Sequence, residues 1–235
     1  MSNRELIIPA NVALIPDGNR RWAKNNKMNL FNGYNYGIKK FVKFSLWLKS
    51  FGSKSLTVWA LSTENIQKRT SQELSILYKL YVRAAYDKEI LKMLDDTQAH
   101  LKIIGNRKLI PKAVNKALSS VEKRTAKYDK FYINVLLAYG GHDDILYAAK
   151  KLLASGAAPR SISEDSLKKN LRTAKISDPD LIIRTSGEER LSGLLPWQSS
   201  YSELYFSNKY WPDFGKADLS AAISEFSRRK RRYGK

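Results

Sequence analysis

The chain has 235 residues, 42 Lys plus Arg against 22 Asp plus Glu, and a formal net charge of +20. With no cysteine and only two histidines, His100 and His142, it excludes disulfides, thiolate metal sites and a His-rich zinc site, so any metal would be a hard ion held by oxygen. The cationic excess points to anionic partners, and nucleic acid, an anionic membrane face and diphosphate substrates satisfy it equally.

Apolar residues 12–15 read as a buried strand that stops at Pro16, Asp17, Gly18 and Asn19, which is turn chemistry, and Arg20 onward with Trp22, Ala23 and Lys24 can open a helix. Helical spacing over 37–47 predicts a second helix, closed by Phe51 and Gly52. A strand follows over 55–61. Residues 73–93 read as one long helix, capped by Thr70 and Ser71 and striped by Leu74, Leu77, Leu80, Tyr81, Ala84 and Ala85. Further strands are predicted over 101–104, 131–138, 180–183 and 203–206, and further helices over 111–125, 144–153, 163–171 and 217–229.

This alternation predicts an α/β fold with a mainly parallel central sheet of about six strands flanked by helices. Parallel strands would gather the polar or glycine-rich segments 16–17, 62–65, 139–141 and 184–185 on one edge of the sheet, where such folds place ligands. No linker, repeat or low-complexity run divides the chain, so one domain over residues 1–235 is expected. The N-terminus lacks a signal-peptide pattern and no apolar run approaches the roughly 20 residues of a membrane span, which predicts a cytoplasmic protein. The basic run Arg228, Arg229, Lys230, Arg231 and Arg232 reads as a solvated helix end.

Two constellations carry chemistry. In the first, a strand end feeds a helix start at Asp17, Gly18, Asn19, Arg20 and Arg21: the arginines suit phosphate oxygens, and the carboxylate makes sense if Mg²⁺ sits between it and a phosphate. The plainer alternative is a surface Asp-Gly turn before a basic helix. In the second, Arg184, Arg190 and the Ser192 hydroxyl would form another anion site, or an ordinary arginine-bearing loop.

Taken together with segments 13–24, 57–65, 138–145, 180–206, 211–214 and 228–234, which are collinear and reach nearly end to end, the chain resembles the cis-prenyltransferases of the undecaprenyl diphosphate synthase family. The resemblance implies joining of isopentenyl diphosphate to an allylic prenyl diphosphate to give a Z-configured polyprenyl diphosphate, with Mg²⁺ as cofactor. It implies that Asp17 holds Mg²⁺ on the allylic diphosphate, that Gly18, Asn19, Arg20 and Arg21 cradle its phosphates, and that Trp22 lines the entrance. Arg184, Arg190 and Ser192 match the isopentenyl diphosphate site. Glu203 matches a glutamate that reaches the metal, in the family typically from the partner of a homodimer. Asn65, with Ser62, Thr63 and Glu64 beside it, matches the segment implicated in proton removal; asparagine is a poor base, so a relay through substrate phosphate is easier to defend. The helices over 37–47 and 73–93 would line a hydrophobic product tunnel.

The sequence departs from the family at several of these positions. Asn11 replaces a histidine and Pro16 a methionine; Leu30 and Tyr34 stand where bacterial members carry arginine and histidine at allylic-phosphate contacts; paired glycines become Ser186 and Gly187. His142 ends a segment that usually ends in arginine, and Gly193 replaces an asparagine. Near Asn65, Leu61 and Ile66 replace aromatics and Lys68 an arginine, for which Arg69 could compensate. Three explanations compete: neutral drift with Arg20, Lys68 or Arg69 substituting; an altered allylic substrate or a branched, non-head-to-tail coupling of allylic units; and a non-catalytic subunit of a heteromeric enzyme. The absence of a helix-turn-helix or RNA-recognition motif weighs against nucleic acid as the anionic partner. Peripheral contact with an anionic membrane is the simpler expectation.

Overall fold

The structure, a computed structural model, describes residues 6–229, so the basic run beyond Arg229 lies outside the described residues. In chain order the elements are β1 (Asn11–Ile15), α1 (Asn19–Asn25), α2 (Leu30–Phe51), β2 (Ser55–Ser62), α3 (Thr63–Lys68), α4 (Ser71–Ala85), α5 (Lys88–Thr97), β3 (Ala99–Ile104), α6 (Lys112–Thr125), β4 (Phe131–Tyr139), α7 (Gly141–Ala154), α8 (Glu164–Asn170), β5 (Leu181–Arg184), β6 (Glu203–Phe206) and α9 (Lys216–Arg228).

The six strands form one sheet in the order β3-β4-β2-β1-β5-β6, and every pairing is parallel. The central strands are apolar on both faces, as a sheet covered on both sides requires. Side chains alternate across the pleat: Val12 and Leu14 join one core with Phe44, Leu48 and Leu56, while Ala13 and Ile15 join another with Leu136, Ile182 and Leu194. Because all strands run one way, Ile15, Ser62, Tyr139 and Arg184 come out on the same edge, as the sequence predicts; Ile15 is the register partner of Arg184, and Ser62 that of Tyr139.

Two local expectations are corrected and one helix is added. The second helix is 22 residues long and starts at Leu30, with the Asn29 side chain accepting from the Asn32 N–H as its cap. Gly33 and Gly37 conceal this start, since glycine weakens a helical pattern. Both allow close approach of α1: a Cβ on Gly33 would lie 2.5 Å from the Ala23 Cβ, and one on Gly37 would lie 2.3 Å from Asn19 Oδ1. The long helix over 73–93 is two helices, because the Asp87 side chain accepts from the Glu89 and Ile90 N–H groups and starts α5 afresh. The polar segment after β2 is itself a helix, α3, whose cap is the Ser62 hydroxyl accepting from the Asn65 N–H at 3.0 Å. Such a cap is worth about 1 kcal/mol. No described helix is long and apolar enough to cross a membrane.

Candidate active site

The strand edge converges on Asp17. After β1, Gly18 turns the chain with φ +99°, and a Cβ there would fall 2.6 Å from the Tyr210 ring, so both backbone and space demand glycine. The Asp17 backbone carbonyl accepts from the Thr185 hydroxyl at 2.8 Å and from the Trp211 N–H at 2.9 Å, which ties the turn to the end of β5 and to the segment before α9. The Asp17 carboxylate, 34% exposed, accepts from the Gly18 N–H at 2.6 Å and from Arg184 Nη2 at 2.9 Å. Arg184 is only 6% exposed and also donates through Nη1 to Ser192 Oγ at 2.8 Å and to the Arg190 carbonyl.

Two further carboxylates gather the other arginines of the site. Glu188 sits between Arg21, at 3.3 Å, and Arg190, so one acidic side chain spans the two arginine sets. Arg21 also donates to the Ser186 hydroxyl and lies over the Tyr210 ring, 5.5 Å from its centroid. Glu73, buried at the start of α4, pairs with Arg69 at 3.3 Å and Arg20 at 3.5 Å and accepts from the Tyr34 hydroxyl at 2.6 Å. Burial raises the Tyr34 phenol above its ordinary value against the opposing pull of Arg69, so it stays protonated and donates.

These groups form the polar mouth of a cavity of about 950 Å³. Asp17, Gly18, Asn19, Arg20, Arg21, Tyr34, Ser62, Glu64, Asn65, Lys68, Arg69, Arg184, Arg190 and Ser192 line it, so the structure brings together nearly all the predicted site residues from both halves of the chain. Below the mouth the walls are apolar: Ile38 and Phe41 from α2, Leu77, Tyr81 and Ala84 from α4, Ile90 from α5, Leu118 and Val121 from α6, and Leu101 and Ile103 from β3.

Two predicted residues are placed otherwise, and a third, Glu203, lies away from the mouth of its own subunit. Trp22 is buried and absent from the lining; its Nε1 donates to Asp213 at 2.7 Å and its ring packs on Tyr36, so it secures α1 instead of shaping the entrance. Thr63 is also absent from the lining and packs its hydroxyl against Gly140, where a Cβ would come within 2.3 Å. Glu203 opens β6 in register with Leu181 and Val12, at the opposite end of the strands from Asp17, and pairs with Arg229 at 2.8 Å. Sequence reading missed Glu73 and Glu188. Glu188 lies within the arginine motif and could have been weighed, whereas Glu73 looked like an ordinary residue of a helix's first turn.

A family model described as "Putative undecaprenyl diphosphate synthase" matches residues 15–234. The chain belongs to the undecaprenyl diphosphate synthase family of cis-prenyltransferases. It is 40% identical over 231 residues to the tritrans,polycis-undecaprenyl-diphosphate synthase (GGDP specific) of Sulfolobus acidocaldarius, covering 96% of this chain and 88% of that protein. It is 39% identical over 239 residues to the geranylgeranyl-diphosphate-specific synthase of the same name from Methanocaldococcus jannaschii, covering 97% of this chain and 83% of that protein. Among solved structures, lavandulyl diphosphate synthase from Lavandula x intermedia in complex with dimethylallyl diphosphate superposes with a TM-score of 0.91 at 32% identity, covering 97% of this chain and 98% of that one.

The cis-prenyltransferase departures now have places. Asn11 accepts from the Ser55 hydroxyl at 2.8 Å, joining β1 to β2. Leu30 begins α2 and is exposed, while Tyr34 is spent on Glu73 and Arg69. Arg69 therefore stands at the mouth but shares its charge with a buried carboxylate. For Mg²⁺, no cluster of three or more acidic, histidine or cysteine ligands exists among the described residues. The donors nevertheless fit this ion: it is commonly held by one or two carboxylates with substrate phosphates and water, and Asp17 presents a partly exposed carboxylate at the mouth.

Proposed function

We propose that this prenyltransferase joins isopentenyl diphosphate to an allylic prenyl diphosphate and extends it to a Z-configured polyprenyl diphosphate, with geranylgeranyl diphosphate as primer, the substrate for which its archaeal relatives are named specific. The observation that carries this reading is the Asp17–Arg184 contact, which unites two arginine sets at the mouth of one apolar-walled cavity.

In this reading Arg20 and Arg21 hold the allylic diphosphate, while Arg184, Arg190 and Ser192 hold the isopentenyl diphosphate. Asp17 would hold Mg²⁺, which when bound neutralises charge on the departing diphosphate. As the allylic carbon–oxygen bond breaks, that carbon gains cationic character, and the alkene of the second substrate attacks it to form the new carbon–carbon bond. The arginines stabilise the charge developing on the leaving group. A proton then leaves the adjoining carbon. Asn65 orients the substrate phosphate that receives it, since its amide is no base at neutral pH. Apolar walls exclude water, which would quench the allylic cation, and accept the growing chain. Glu203 acts in a homodimer, reaching the partner's site. The surplus positive charge suits peripheral contact of this cytoplasmic enzyme with an anionic membrane.

The likeness to a lavandulyl diphosphate synthase holding dimethylallyl diphosphate favours a second reading, in which both substrates are allylic. A cavity of about 950 Å³ favours the first, because two short units would leave most of it empty. The experiment is incubation with Mg²⁺ and a panel of allylic diphosphates, with and without isopentenyl diphosphate, and identification of products by mass and chromatography. Long products that require isopentenyl diphosphate uphold the proposal; products from allylic diphosphates alone overturn it in favour of the second reading.

A further inference from the structure

Ser186 follows β5 and is buried, with φ at +81°. A serine rarely adopts this left-handed backbone, and such outliers cluster where function maintains them. The conformation is pinned from both sides: the Ser186 N–H donates to the Lys209 carbonyl at 2.7 Å, and the Gly187 N–H to the Ser207 carbonyl at 2.9 Å. A glycine would take this backbone without strain.

The serine hydroxyl accepts a hydrogen bond from Arg21 Nη2. Arg21's other polar partners are Glu188 and, at 3.7 Å, Asp17, both of which offset its charge. A hydroxyl differs in kind: it fixes one guanidinium nitrogen without neutralising the cation, which leaves the charge for an anion. The fit is reciprocal, since a Cβ on Gly18 would lie 2.9 Å from the Ser186 Cβ. Ser186 is not among the residues lining the cavity, so its effect passes through Arg21.

We infer that Ser186 is a positioning residue for the allylic half of the site, kept in a strained backbone so that its hydroxyl can aim Arg21. The inference rests on the proposal that Arg21 grips the allylic diphosphate.

The test compares Ser186→Gly with Ser186→Ala, alone and combined with Arg21→Ala. The readouts are steady-state kinetics with geranylgeranyl and isopentenyl diphosphates, calorimetric titration of inorganic diphosphate with Mg²⁺, and thermal unfolding. Both single variants should raise KM for the allylic substrate about tenfold while leaving KM for isopentenyl diphosphate unchanged, and should weaken inorganic diphosphate binding alike. Neither should add a loss to that of Arg21→Ala. Only the glycine should raise Tm, by a few degrees, because it alone relieves the strain. Unchanged allylic KM and diphosphate affinity in both variants, or losses that add to that of Arg21→Ala, would overturn the inference. Inorganic diphosphate carries no prenyl chain, so its titration reads Ser186 whichever allylic substrate the enzyme prefers.

Discussion

Asp17 and Arg184, 167 residues apart in sequence, meet at 2.9 Å with Arg184 almost wholly buried. Their strands make this inevitable: β1 and β5 pair in parallel with Ile15 opposite Arg184, so the residues that follow one strand face those that end the other. The contact holds the Arg184 guanidinium beside Ser192 and gives the two arginine sets one shared carboxylate.

Asp17→Ala should lower kcat by at least about a hundredfold, because both the proposed metal ligand and the partner of Arg184 are lost. Arg184 keeps its bonds to Ser192 and the Arg190 carbonyl, so the fold should persist with Tm only a few degrees lower. Kinetics and circular dichroism on the same preparation check this; undiminished turnover refutes the metal role.

Glu73→Ala should release Arg20 and Arg69 together and leave three groups to rearrange. KM for the allylic diphosphate should change more than KM for isopentenyl diphosphate, since Arg184 and Arg190 do not touch Glu73. Equal changes in the two constants would show that Glu73 serves the whole fold and not one half-site.

Tyr34→Phe has a pH signature. Burial holds the folded phenol above its ordinary value of 10.0, so above that pH the unfolded chain releases this proton first. The stability Tyr34 contributes is complete below about pH 10 and is lost as pH rises through the folded value. Chemical denaturation at increasing pH should therefore show a shallower alkaline decline in the phenylalanine variant than in the parent.

Val121→Phe, in the apolar wall of the cavity on α6, should shorten the products without altering KM for either diphosphate, because no arginine of the site lies on α6. Overpacking should cost about 1–3 kcal/mol, read as lower Tm. Products of parental length would mean that the chain does not grow toward α6.

If Glu203 acts across a homodimer, Asp17→Ala and Glu203→Gln subunits should each be inactive alone yet complement when mixed. Random exchange makes half the dimers mixed, each with one intact site of two, so activity should return to about a quarter of the parent's. No recovery after demonstrated subunit exchange would place Glu203 outside the site.

Much of the fold was legible because parallel sheets covered on both sides demand runs such as Val12–Ile15 and Leu181–Arg184, which are hard to mistake. The errors have physical causes. Gly33 and Gly37 hid the first turns of α2 because their cost to helix propensity is local, while their benefit, close contact with α1, is tertiary. Apolar residues recur on both sides of the break, Leu77, Leu80 and Ala85 before it and Ile90, Met93 and Leu94 after it, so periodicity alone could not reveal that the Asp87 side chain starts a new helix.

The same division holds at the site. The sequence by itself determined the family: which segments match the cis-prenyltransferases, and with them which arginines and which carboxylate stand at strand ends, because motifs are local and collinear. Only the tertiary structure decided who partners whom. It turned Trp22 toward Asp213, drew Arg20, Arg69 and Tyr34 to Glu73, and set Ser186 against Arg21. Those pairings depend on strand register and helix packing across long stretches of chain, and residue identity at one position carries no record of them.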